Sequence, residues 1–152
     1  MSLSPSPTEL RARALTDLRM GLPVVINLPV PMVICAAETI TEDRLVSLRS
    51  LGEVQAVVSK WRAKTLKINV YDGDFARLIV PITADAGWCQ AVADPIMDMV
   101  YPMKGPFQVV RDGEISAHGL AIELLKAAQL LPMAITVQTN QELSNLTRLP
   151  AE

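Results

Sequence analysis

Residues 23–37 read Pro-Val-Val-Ile-Asn-Leu-Pro-Val-Pro-Met-Val-Ile-Cys-Ala-Ala. Two apolar runs, Pro23–Ile26 and Met32–Ala37, flank a tight Asn27-Leu28-Pro29 connection. Neither run alternates apolar with polar residues, so both predict strands of a sheet covered on its two faces.

Upstream, Leu10, Ala14, Leu15 and Leu18 recur at helical spacing. Thr8 is the expected N-cap of that helix and Gly21 its stop. Downstream, Thr41 caps a second helix with Glu42 and Asp43 in its first turn, where carboxylates suit the helix dipole; Gly52 ends it. Val54–Val58 reads as a strand and Ser59–Lys67 as a short helix. Leu66–Tyr71 and Phe75–Val80, separated by Asp72-Gly73, read as strand, turn and strand. A short helix is expected over Ala84–Ala93, and Met99–Met103 and Phe107–Val110 are expected to be extended. Asp112-Gly113 has the chemistry of a hairpin turn. A long helix follows from His118 to about Leu130, stopped by Pro132. Met133–Val137 returns as a buried strand, and Asn140–Thr147 is expected to form a last helix. Helices and strands mixed without strict alternation predict an α/β (α+β) layered domain on a mixed sheet. Residues 1–7 read as a disordered lead, 8–139 as the domain, and 140–152 as a C-terminal helix or linker.

The chain has 152 residues, half of them hydrophobic, enough for one domain with its own core. Its net charge of −2 gives no nucleic-acid-binding face. The N-terminus lacks the basic start and apolar run of a signal peptide, and no apolar stretch reaches a membrane span. A cytoplasmic location is therefore expected, with Cys35 and Cys89 as buried, reduced thiols. With one histidine and no Cys-x-x-Cys, zinc binding is not expected.

Chemistry-bearing residues are sparse. The acidic residues are mostly isolated; Asp72 and Asp74 flank a glycine and read as turn chemistry. Lys60, Arg62, Lys64 and Lys67 form a loose basic cluster, read as a solvated face. Trp61 and Trp88 are far apart in sequence, and one or both are expected in the core. Gly105, Gly113 and Gly119 do not form a dinucleotide-binding Gly-x-Gly-x-x-Gly. His118, the sole histidine, stands at the start of a helix, where an imidazole can meet an anion.

Two stretches resemble a known family. Ala14-Leu15-Thr16-Asp17-Leu18-Arg19-Met20-Gly21-Leu22-Pro23-Val24-Val25, followed by Ala36-Ala37-Glu38 and Thr41, is similar to the "A-L-x-x-G-x-P-V-V … A-A-E-x-x-T" opening of 3,4-dihydroxy-2-butanone 4-phosphate synthases. Val100-Tyr101-Pro102-Met103-Lys104, Ala121-Ile122-Glu123-Leu124 and Leu130–Ile135 resemble, in order, that family's later segments. The resemblance implies a three-layer mixed-sheet domain and a homodimer.

It also implies that the chemistry has been removed. The family's acidic, metal-holding loop falls on Asn27-Leu28-Pro29-Val30-Pro31-Met32, which carries no carboxylate. One family histidine falls on Met99, the Gly-His-Thr-Glu segment falls on Ser116-Ala117-His118-Gly119 one residue out of register, and the glutamate after the last strand falls on Gln138. A divalent ion prefers anionic oxygen, and glutamine accepts no proton at neutral pH. No catalytic residue and no metal ligand is therefore assigned; magnesium enters only if activity is retained. Glu38, Thr83, Lys104, His118 and Gln138 are the candidates for a vestigial pocket, with Lys104, Thr83 and His118 expected to meet the phosphate of a phosphosugar. The expected role is a non-catalytic scaffold or ligand-sensing domain of riboflavin biosynthesis, joined in cis or in trans to a GTP cyclohydrolase II-type domain. The alternative is a divergent sugar-phosphate lyase acting on ribulose 5-phosphate through His118, Lys104 and Glu38.

Overall fold

In a computed structural model, residues 3–27, 30–99, 106–111, 113, 115 and 117–150 are described. The order of elements is α1 (Pro7–Arg19), β1 (Val24–Asn27), β2 (Met32–Ala36), α2 (Glu42–Arg49), β3 (Gln55–Ser59), α3 (Lys60–Thr65), β4 (Phe75–Ile79), α4 (Ala86–Ala93), β5 (Val109–Val110), α5 (His118–Ala127), β6 (Met133–Gln138) and β7 (Thr147–Pro150), with a 3-10 turn at Pro95–Asp98 after α4.

The seven strands form one mixed sheet in the order β5-β4-β3-β6-β2-β1-β7. All neighbours pair antiparallel except β1 and β7, which run parallel. The expectation that the runs around residues 23–37 lie inside a two-sided sheet holds: every residue of β2 is buried. On one face, Val33, Cys35, Ala56, Val58, Leu78 and Ile135 pack with residues of α2, α3 and α4. On the other, Ile26, Ile34, Val57 and Ala134 pack with Leu18 of α1 and Leu124 and Leu125 of α5. The result is helix–sheet–helix in three layers.

Helix ends follow local chemistry. Ser6, rather than Thr8, caps α1; its hydroxyl accepts from Glu9 N–H while Glu9 reaches back to the Ser6 N–H. Residues 6 and 7, assigned to a disordered lead, thus begin the first helix. Gly21 ends it at φ +82°, with Leu22 N–H donating to Asp17 O at 2.8 Å. Thr41 caps α2 as expected, and Ser59 caps α3.

Three expectations differ from the structure. Leu66–Tyr71 is not a strand: Lys67 takes a left-handed φ of 61° after α3, and β4 pairs instead with β3 and β5. Asn140–Thr147 forms no helix, and Thr147–Pro150 is an edge strand beside β1, so part of the expected linker belongs to the sheet. Of the two tryptophans, one packs on the core as expected: Trp88 is partly buried against Phe107, while Trp61 is 73% exposed on α3. Arg62 departs from the basic face: it is buried, bonds bidentately to Asp98 at 2.8 Å, and donates to Val92 O at the end of α4. Residues 100–103 of the expected Met99–Met103 extended segment, and Asp112 of the expected turn, lie outside the described residues.

Candidate functional site

The α1/α5 face of the sheet is apolar across β1 and β2 and turns polar towards β3, β4 and the end of β6. Side chains two apart on a strand share a face. Phe75 and Arg77 in β4, Gln55 and Val57 in β3, and Ala134, Thr136 and Gln138 in β6 therefore point the same way. Gln55 stands directly opposite Thr136 in the β3–β6 ladder, and Thr136 Oγ1 donates to Gln55 O at 3.4 Å.

These residues form the floor of a cleft of about 270 Å³, lined by Glu53, Gln55, Arg77, Gly113, His118 and Thr136–Gln138. The start of α5 closes it with His118, which is 4% exposed and stacks on Phe75 at 6.0 Å between ring centroids. Arg77 forms a side wall. Its Nε donates to Asp72 Oδ2 at 2.8 Å and its Nη2 to Oδ1 at 3.3 Å, and both side chains are nearly inaccessible. Burial makes each charge dependent on the other. At the mouth, Gln55 Nε2 donates to Glu53 Oε1 at 3.2 Å. Thr139 N–H donates to Pro31 O, which brings the end of the β1–β2 connection beside Gln138.

Of the five candidate pocket residues, the cleft brings together His118 and Gln138. Glu38 lies at the far end of β6, exposed, where its Oε1 accepts from Leu131 N–H at 2.8 Å; it ties two chain segments together. Thr83 is exposed in the turn before α4, a helix packed on the opposite face of the sheet. Lys104 lies outside the described residues. Glu53, Gln55, Arg77 and Thr136 escaped the sequence reading. The available signal was period two: Arg77 is the one charge in the apolar run Phe75–Val80, and Thr136 and Gln138 interrupt Met133–Gln138 on a single face.

Among the described residues, no group of three His, Cys, Asp or Glu side chains is placed to hold a metal ion. No helix among them is long and apolar enough to cross a membrane. The two cysteines lie on the other face of the sheet, and burial pushes each thiol up to about 12.

No protein-family model matches the chain, and no curated protein sequence matches it. Solved structures do. A cation-free 3,4-dihydroxy-2-butanone 4-phosphate synthase is similar at 17% identity and a TM-score of 0.66, over 92% of each chain. A two-domain synthase from A. baumannii is similar at 14% identity and a TM-score of 0.64, over 93% of this chain and 55% of that one. A synthase in complex with two magnesium ions is similar at 17% identity and a TM-score of 0.60, over 91% of this chain and 80% of that one. The chain has the fold of the 3,4-dihydroxy-2-butanone 4-phosphate synthases.

Proposed function

We propose that this chain keeps the synthase fold without synthase chemistry and uses the His118–Gln138 cleft to hold a phosphosugar as a sensing or scaffold domain. The observation that carries the reading is the state of the charges around the cleft. Asp72 is buried against Arg77 and Glu53 accepts from Gln55, so both carboxylates are engaged within the protein. The connection 27–32, whose Pro31 O accepts from Thr139 N–H, carries no carboxylate in its sequence. A magnesium ion takes an octahedral set of oxygen ligands, commonly including one or two carboxylates. The described residues do not fit such an ion, and no step is assigned to one. Proton abstraction from a sugar needs a base in reach. Gln138 is none, and His118, the cleft's imidazole, is buried against Phe75 with no metal-binding carboxylate group beside it among the described residues.

What the cleft retains is hydrogen-bonding capacity: the Gln55 and Gln138 amides, the Thr136 hydroxyl and the His118 imidazole suit a polyhydroxylated ligand. The domain would work in the cytoplasm as a homodimer, attached in cis or in trans to a GTP cyclohydrolase II-type partner. The A. baumannii protein, in which a unit of this fold makes up about half of a two-domain chain, supports an attached arrangement. Titrating labelled protein with ribulose 5-phosphate should move the amide signals of Gln55, His118 and Gln138. Unmoved signals at millimolar ligand would overturn the binding role.

A further inference from the structure

Behind the cleft lies a second cavity. Asp72 and Phe75, whose partners Arg77 and His118 line the cleft, line this groove on the other side. Its volume is about 370 Å³, larger than the cleft and within the size of small-molecule sites. Gly119 lines it, and an added Cβ there would meet the edge of the buried Phe75 ring at 3.8 Å.

Trp61 stands at the rim. It is 73% exposed, an uncommon state for an indole, with the Lys64 ammonium 5.7 Å from the ring centroid. Lys60 and Lys126, both exposed, line the same groove. Exposed Asp74 and Glu123 lie beside them as acceptors. An open aromatic face stacks on a planar heterocycle, and flanking ammonium groups meet an anion. Carboxylates accept from hydroxyl or amino groups. A net charge of −2 argues against a nucleic-acid strand.

We propose that this groove is a second ligand site, taking a planar heteroaromatic group that carries one phosphate, such as a mononucleotide. The assignment stands on Trp61 and the lysines and is independent of what the cleft binds. The test is a titration of the labelled full chain with adenosine 5′-monophosphate, followed by amide shifts. Saturable shifts at residues 59–61, 72–75 and 119–126 are expected, with binding weakened about tenfold by Trp61→Ala and likewise by Lys60→Ala with Lys126→Ala. These positions are exposed, and an unchanged circular dichroism spectrum keeps a loss of binding separate from a loss of fold. Adenosine binding as well as the monophosphate would overturn the anionic half of the assignment, and inorganic phosphate binding as well would overturn the aromatic half. Shifts confined to the cleft, or none into the millimolar range, would overturn the site.

Discussion

Asp72 and Arg77, five residues apart, form a bidentate ion pair that is nearly inaccessible to solvent and stands between the two cavities. Asp72, which reads in sequence as a turn residue, is thus half of a buried charge pair. Asp72→Ala would leave the Arg77 guanidinium in the wall of the cleft without its carboxylate. Breaking a buried pair from one side costs about 3–5 kcal/mol. Urea denaturation should show a loss of that size, and replacing both residues with apolar ones should recover much of it.

Arg62 ties α3 to the end of α4. It is 5% exposed, donates to Val92 O at 2.6 Å, and pairs with Asp98 in the 3-10 turn that follows. Asp98 is partly exposed, so the ion pair itself is screened more than that of Arg77. Arg62→Ala should still cost about 2–4 kcal/mol, since it also strips the α4 carbonyls of their donor. The Arg62→Ala and Asp98→Ala losses should add up to more than the double variant loses, a coupling that a double-mutant cycle reads directly.

Gly21 has a conformational and a steric reason to be glycine. Its φ is +82°, and a Cβ there would lie 2.5 Å from the Thr39 carbonyl oxygen. The clash is with backbone, which cannot swing aside. Gly21→Ala should lower stability by about 2 kcal/mol or more, above the left-handed penalty alone. A thermal melt of the two proteins checks it.

The thiols set an alkaline limit. Burial raises Cys35 and Cys89 from 9.0 to about 12, so the folded protein holds both protons where the unfolded chain releases them. The unfolded state then binds fewer protons, and stability falls with pH across that window, from about 9 to about 12. A Cys35→Ala, Cys89→Ala variant should show a shallower alkaline decline. Alkylation of the native protein at neutral pH should be slow, because the thiolate is the reactive form.

Much of the fold was legible because its strands are short apolar runs and its helices carry end signals, as at Thr41 and Gly21. What escaped depended on distant partners. Nothing local marks Thr147–Pro150 as a strand: it is four residues long and takes its conformation from pairing with β1. Leu66–Tyr71 has the composition of a strand, but the turn at Lys67 and the β3–β4 pairing leave it no place in the sheet. Of the candidate cleft's lining, His118 and Gln138 were singled out in the sequence, where the family resemblance supplied positions. The lining was not legible at Arg77, Gln55 and Thr136, which converge only when β4, β3 and β6 lie side by side. Glu38 looked chemical in sequence because it is charged within a family motif; in the fold it caps Leu131 N–H.

The central claim, a synthase fold without synthase turnover, is tested most directly by incubating the protein with ribulose 5-phosphate and magnesium and following the formate proton by NMR. The account predicts no formate above a control without protein, with ligand-induced shifts at His118 and Gln138. Formate that accumulates in proportion to the protein would contradict it, and would point to His118 as the base and to metal ligands beyond those that line the cleft.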